Sequence, residues 1–263
     1  MTNTNASRSL SEALDTSVLY DDDSITLHLA DHADILTADG TADLAVVDPP
    51  YGDTSLPWDQ RTVAWLEPVT ATLRPNGSIW LWGSLSSLLT MVPAAESAGW
   101  KVSQEIIWEK HNGTNATADR FRRVHELCVL LYRGPWAATF HDPQFSLDAS
   151  ERTVRTRQRP AHWGELGEAA YRSEYGGPRH LRSDMYERSA HGSALHPTQK
   201  PLGITRTLIQ YACPPGGLVI DPYAGSATTL VAARMCGRRA VGAERDGTYA
   251  HRAAARLRTE AVR

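Results

Sequence analysis

Short apolar runs separated by turn residues and helical stretches set the rhythm of this chain. "SITLHLADHADIL" (24–36) alternates and then yields to acids, and "ADLAVVD" (42–48) is a second apolar run, which predicts two adjacent strands. Pro49 and Pro50 cannot continue a ladder, so the chain leaves the sheet there and a helix should follow. Helical spacing appears over "RTVAWLEPVTATLR" (61–74), where Pro68 implies a kink, a break or an early end. "PNGSIWLWGS" (75–84) reads as a turn entering a strand, "SSLLTMVPAAESAG" (86–99) as a helix stopped by Gly99, and "KVSQEIIWEK" (101–110) as another strand. This alternation predicts an α/β fold, a mostly parallel sheet covered by helices.

The polar, Gly-containing "HNGTNATADRFRR" (111–123) reads as a mobile loop, and "HELCVLLYRG" (125–134) as a strand. Residues 138–195 break the rhythm. They hold few aliphatics and many arginines, with His, Trp and Tyr interleaved, as expected of an inserted recognition segment. From 196 to 258 the order helix, strand, Gly-bearing turn, helix, strand, acidic turn, helix returns. The expected division is a polar flexible leader (1–17), a first half (18–137), the insertion (138–195) and a second half (196–263).

Composition narrows the class. The chain has 263 residues, 41% hydrophobic and 22% charged, enough to bury a sizeable core. No run of about 18 apolar residues exists and the leader lacks a signal peptide's apolar core, so a cytoplasmic protein with no membrane span is expected. Cys128, Cys213 and Cys236 are widely spaced, which argues against a disulfide framework or a zinc site. The formal net charge of −3 does not advertise a nucleic-acid partner, although a local basic patch can supply the field that the whole chain lacks.

Two segments carry candidate chemistry. Asp48 stands where a strand ends, the edge at which open α/β sheets bind ligands, although Asp and Pro are also ordinary turn residues. "LVIDPYAGSATTLVAARMCG" (218–237) is a strand, a turn of small residues and a helix, so backbone N–H groups can approach a ligand. It lacks both GxGxxG and a P-loop ending, which disfavours pyrophosphate and triphosphate. Glu244 ends the next strand about twenty residues further on, where an acid commonly accepts from two ribose hydroxyls. A nucleoside bearing an amino-acid carboxylate fits both features.

Together these segments resemble the amino-group DNA methyltransferases, which move a methyl from S-adenosylmethionine to adenine N6 or cytosine N4. "DPPY" (48–51) resembles the catalytic tetrapeptide, "HPTQKP" (196–201) the lead-in to the cofactor half, and "DPYAGSATT" (221–229) the cofactor turn. Their order resembles the β class and implies a Rossmann-like, circularly permuted fold with an inserted target-recognition region. "DPPY" is the commoner form in adenine enzymes. One departure is Ala227, where the family usually has glycine; its methyl is expected to tighten the cofactor pocket or weaken binding.

The resemblance implies roles. Asp48 and the Pro49 carbonyl accept the two amine hydrogens, Pro50 completes the turn, and Tyr51 stacks on a flipped base. Asp48 also borders the cofactor. Asp221, Tyr223, Ala224, Gly225 and Ser226 line its methionine end with Thr198 and Lys200, whose ammonium meets the carboxylate; Glu244 takes the ribose, and Asp31 and His32 lie by the adenine. No metal is required. Trp58 supports the pocket. Arg152, Arg155, Arg157 and Arg159, in "RTVRTRQR", form a footprint for double-stranded DNA. A homodimer and a cognate restriction enzyme are the other expected partners. The alternatives are cytosine N4 as target, or a DNA-binding relative that no longer transfers methyl.

Overall fold

Ala42–Val47 is buried at nearly every position, as a central strand covered on both faces must be. The computed structural model describes residues 17–114, 119, 121–154, 171–190 and 194–260, so all of the leader except Ser17 lies outside the described residues. The first stretch holds β1 (Val18–Asp21), β2 (Ile25–Leu29), α1 (His32–Ile35), β3 (Ala42–Val47), α2 (Leu66–Thr72) and β4 (Leu73–Gly83). Next come α3 (Leu85–Ser97), β5 (Lys101–Thr114) and β6 (Arg123–Tyr132), then the short strands β7 (Phe145–Ser146), β8 (Arg152–Val154), β9 (Tyr171–Ser173), β10 (Arg179–His180) and β11 (Asp184–Tyr186). The last part supplies α4 (Leu202–Ala212), β12 (Leu218–Asp221), α5 (Thr228–Met235), β13 (Arg239–Glu244) and α6 (Gly247–Glu260).

Nine strands form one sheet in the order β1-β2-β13-β12-β3-β4-β6-β5-β11. Its centre, from β2 to β4, is parallel; β1 runs against β2, and β6 against both β4 and β5. The sheet is mostly parallel, as expected, with antiparallel pairings at β1 and at β6. The two strands expected to be adjacent, β2 and β3, are separated by β13 and β12, which come from the far end of the chain. Apolar alternation reports which face a residue takes but carries no information on its lateral partner.

The alternation places the core. Ile79 and Leu81 of β4 face Trp65, Val69, Leu88 and Met91 around α2 and α3, while Trp80 and Trp82 face Leu208, Leu230 and Leu257 from α4, α5 and α6. Each fully buried side chain of this kind contributes roughly 1.5–3 kcal/mol. Trp80 also satisfies its indole N–H on the Leu208 carbonyl at 3.0 Å. Pro68 produces none of the expected disruption, because α2 begins only at Leu66 and the proline falls in its first turn, where no N–H partner is needed. His111 to Thr114, expected in a loop, extend β5; residues 115–118 and 120 lie outside the described residues.

Two compact units are present. One spans Met1–Asp142 with Ser183–Arg263, the other Pro143–Arg182. The second is narrower than the 138–195 segment read from composition, because β11 belongs to the large sheet, parallel to β5. Just beyond β11, Glu187 accepts from the Gly203 and Ile204 N–H groups at 3.0 and 2.8 Å, capping α4 from a distance. Within the smaller unit β7 pairs with β10 and β8 with β9, both antiparallel. Among the described residues no helix is long and apolar enough to cross a membrane.

Candidate active site

The carboxyl ends of β2, β13, β12 and β3 share one edge of the sheet, and the loops leaving them line a cavity of about 740 Å³. That size suits a small-molecule ligand. Asp48 immediately follows β3, and its carboxylate is anchored twice. Tyr51 donates its hydroxyl to Oδ1 and Lys200 its ammonium to Oδ2, each at 2.6 Å. Burial raises the Asp48 carboxyl above its ordinary value, with Lys200 opposing; burial and the charge of Asp48 push Tyr51 well up, so its hydroxyl stays a donor.

Lys200 is 8% exposed. Burial works against its charge, but Asp48 and Glu126 outweigh it and hold the ammonium above its ordinary value. Lys200, expected to meet a cofactor carboxylate, lines the cavity and donates to Asp48 and to the Thr198 carbonyl at 3.3 Å, with Glu126 Oε2 3.4 Å away. The loop after Tyr51 is fixed by Asp59, which accepts from the N–H groups of Gly52, Asp53 and Thr54 and from the Thr54 hydroxyl, at 2.7 to 3.0 Å. These bonds prevail over burial and keep the Asp59 carboxyl below its ordinary value. The clamp presents Trp58, half-buried, with its ring 5.7 Å from that of His196.

Across the cavity, β12 ends in Asp221 and turns through Tyr223, Ala224, Gly225 and Ser226 into α5. Gly225, with φ +49°, donates its N–H to Glu244 Oε2 at 2.9 Å, and Asp246 donates to Oε1 at 2.8 Å. Each Glu244 oxygen keeps a lone pair for a ligand. Burial raises Glu244 and pushes Asp221 up to about 7. The turn can lie this close to β13 because Gly242 has no side chain: a Cβ there would stand 2.8 Å from Leu230 and 3.2 Å from Ala224. Asp31 caps α1 and meets His32 Nδ1 at 3.0 Å; the His32 ring, kept neutral by burial, lies 5.1 Å from the Tyr223 ring. The Tyr223 hydroxyl is buried with no hydrogen-bond partner. Acceptors at one end, a small-residue turn in the middle and a planar-ring site at the other fit a nucleoside joined to an amino acid.

The structure brings all the predicted catalytic and cofactor residues, and Trp58, to this one cavity. Thr198 is there too, bonded through its hydroxyl to His196 Nδ1 at 3.1 Å. Arg152 is exposed on β8 in the smaller unit, whereas Arg155, Arg157 and Arg159 lie outside the described residues. Sequence reasoning missed His196, Glu126 and Asp59 as site residues. Burial and the nearby Lys200 lower His196 to about 4, so it is a neutral ring. The available signal for Glu126 was an acid set in the apolar run "HELCVLLY".

Ala227 departs from expectation. It adopts φ +59°, is fully buried and does not line the cavity. Its methyl sits in the core, so it acts on the backbone and not on the pocket. A left-handed alanine costs roughly 1–2 kcal/mol, while glycine loses about 0.5–1 kcal/mol of chain entropy and roughly 0.8 kcal/mol of methyl burial. Ala227→Gly should therefore melt within about 1 kcal/mol of wild type, with S-adenosylmethionine affinity unchanged, as calorimetry of both proteins would check.

A DNA methylase family profile matches residues 42–255. The Type II methyltransferase M2.DpnII of Streptococcus pneumoniae is 25% identical over 197 residues, 74% of this chain and 66% of that relative, so the match spans just under two thirds of the relative's length. Among solved structures, the M1.HpyAVI–SAM complex aligns with TM-score 0.63 and 22% identity over 89% of this chain and all of that one. The cytosine-N4-specific PvuII DNA methyltransferase aligns with TM-score 0.64 and 13% identity over 92% of this chain and 89% of its own. With the fold, the cavity and the family profile in agreement, the chain belongs to the DNA methylase family, the amino-group DNA methyltransferases.

Proposed function

We propose that this protein transfers a methyl from S-adenosylmethionine to the N6 amine of a flipped-out adenine in double-stranded DNA. The observation that carries the reading is the meeting of Asp48 with the turn Tyr223–Ser226 and Glu244 in one cavity. When bound, S-adenosylmethionine supplies an electrophilic methyl on a sulfonium sulfur. Glu244 receives the ribose hydroxyls, the Gly225 turn approaches the amino-acid end, and Asp31, His32 and Tyr223 bracket the base of the cofactor.

An exocyclic amine is a poor nucleophile while its lone pair is delocalised into the ring. Asp48 and the Pro49 carbonyl accept its two hydrogens and draw electron density onto nitrogen. Their contribution is positional and electrostatic. Tyr51 and Lys200 hold the Asp48 carboxylate in one orientation, and each of its oxygens keeps a lone pair for the incoming N–H. Trp58 stands at the rim, and the unit Pro143–Arg182, with Arg152, supplies phosphate and base contacts. A homodimer and a cognate restriction enzyme complete the proposed partners.

Adenine is favoured by "DPPY" itself. Cytosine N4 is the second reading, favoured by the fold likeness to a cytosine-N4-specific enzyme. Labelled methyl transfer to plasmid DNA followed by nucleoside mass spectrometry decides between them. N6-methyladenine supports the proposal, N4-methylcytosine moves the target while keeping the mechanism, and no methylated base on any DNA overturns it.

A further inference from the structure

A second carboxylate stands beside Asp48. Glu126 lies near the start of β6, and because β6 runs antiparallel to β4, its first residues reach the same sheet edge as the carboxyl ends of the parallel strands. It is 9% exposed. One of its oxygens, Oε1, accepts from Lys110, whose ammonium lies 4.6 Å from the Trp108 ring centre. The other, Oε2, is buried with no hydrogen bond, 3.4 Å from Lys200 Nζ. Lys200 thus stands between two carboxylates and is hydrogen-bonded to only one, with the rings of Tyr51 and Trp82 5.3 and 5.6 Å away. A buried carboxylate oxygen that meets a buried ammonium as an ion pair without a hydrogen bond calls for an explanation.

We propose that Glu126 is a positioning residue for methyl transfer, keeping the Lys200 ammonium paired when Asp48 accepts the proton of the target amine. The inference rests on the reading of Asp48 given above. In the transfer the amine lone pair forms the new N–C bond while the C–S pair stays on sulfur. The methylated amine then carries one positive charge, which it loses by giving a proton to Asp48. Asp48 becomes a neutral acid, and at that moment the buried ammonium loses its ionic partner. Glu126 Oε2 is the anionic oxygen within reach, so Lys200 stays paired until Asp48 passes its proton to water. Without Glu126, Lys200 would have Asp48 as its sole carboxylate and would hold it in the unprotonated form.

The charged and titratable groups around this centre are Tyr51 beside Asp48, Lys110 on β5, Cys128 on β6, His196 near Lys200 and Asp221 at the end of β12. A Glu126→Gln change removes the ionic partner of Lys110 and a charge that raises Tyr51 and Cys128, so Glu126→Asp, which keeps that charge, is the control. The test is single-turnover methyl transfer to plasmid DNA across a pH series, for wild type, Glu126→Gln and Glu126→Asp. Glu126→Gln should bind S-adenosylmethionine as wild type does, react roughly tenfold or more slowly, and show its acidic limb at lower pH. Glu126→Asp, which keeps the charge, should retain the wild-type limb. A purely structural role predicts a lower melting temperature with one uniform rate factor at every pH, and that result overturns the proposal. So does a Glu126→Gln profile that superposes on wild type. Wild-type protein that methylates no DNA overturns the reading of the site and this proposal with it.

Discussion

Asp48→Ala should lower methyl transfer by roughly a hundredfold or more, the loss measured when one preorganised electrostatic partner is taken from a reacting group. Single-turnover transfer to DNA is the direct measurement, with calorimetric S-adenosylmethionine binding beside it. Binding should weaken by less than about tenfold, because Glu244, Gly225 and the turn after β12 keep their arrangement without Asp48. The fold should hold as well. Removing Asp48 leaves the Lys200 ammonium 3.4 Å from Glu126 Oε2, so no buried charge is stranded. A variant that still methylates at a tenth of the wild-type rate would show that Asp48 is not the amine's acceptor. The Pro49 carbonyl would then be the acceptor left to carry the reaction.

Much of this site was legible in the sequence because strand ends write themselves into it. Pro49 and Pro50 cannot lie in a ladder, which fixed where β3 stops and put Asp48 at the ligand edge. The small residues of 223–226 marked the second edge in the same way. An acid in the apolar run marked Glu126 as unusual, but its place at the ligand edge was not legible. It depends on β6 running antiparallel, which puts an early strand residue where the other strands present their last, and the apolar pattern of a strand is the same in either direction. The partner of Lys200 was hidden for a related reason. A lysine ahead of a helix can reach in several directions, and only the lateral strand order set it against Asp48, 152 positions away. Ala227 shows the converse case. The departure from glycine was visible, but whether its methyl faced the cavity or the core depended on how the turn enters α5.

Lys200→Met should be the more damaging change to the fold. It leaves Asp48 and Glu126 as neighbouring buried carboxylates, and breaking a buried ion pair from one side costs about 3–5 kcal/mol. Lys110 still compensates Glu126, so Asp48 carries most of the consequence. Burial already raises its carboxyl, and Lys200 is the main force opposing that rise. In the variant the folded value climbs further above the unfolded one. A carboxyl raised on folding binds more protons in the native state than in the unfolded chain, so stability falls as pH rises between the two values. The deficit relative to wild type should therefore be full above the folded value of Asp48 and smaller near pH 5, where urea or thermal unfolding at pH 5 and pH 8 would read it. Transfer activity should fall by about a hundredfold or more, because the Asp48 carboxyl loses the ammonium that orients it and favours its ionised form. Equal unfolding of variant and wild type at both pH values would mean that Lys200 is not what keeps these two carboxylates in place.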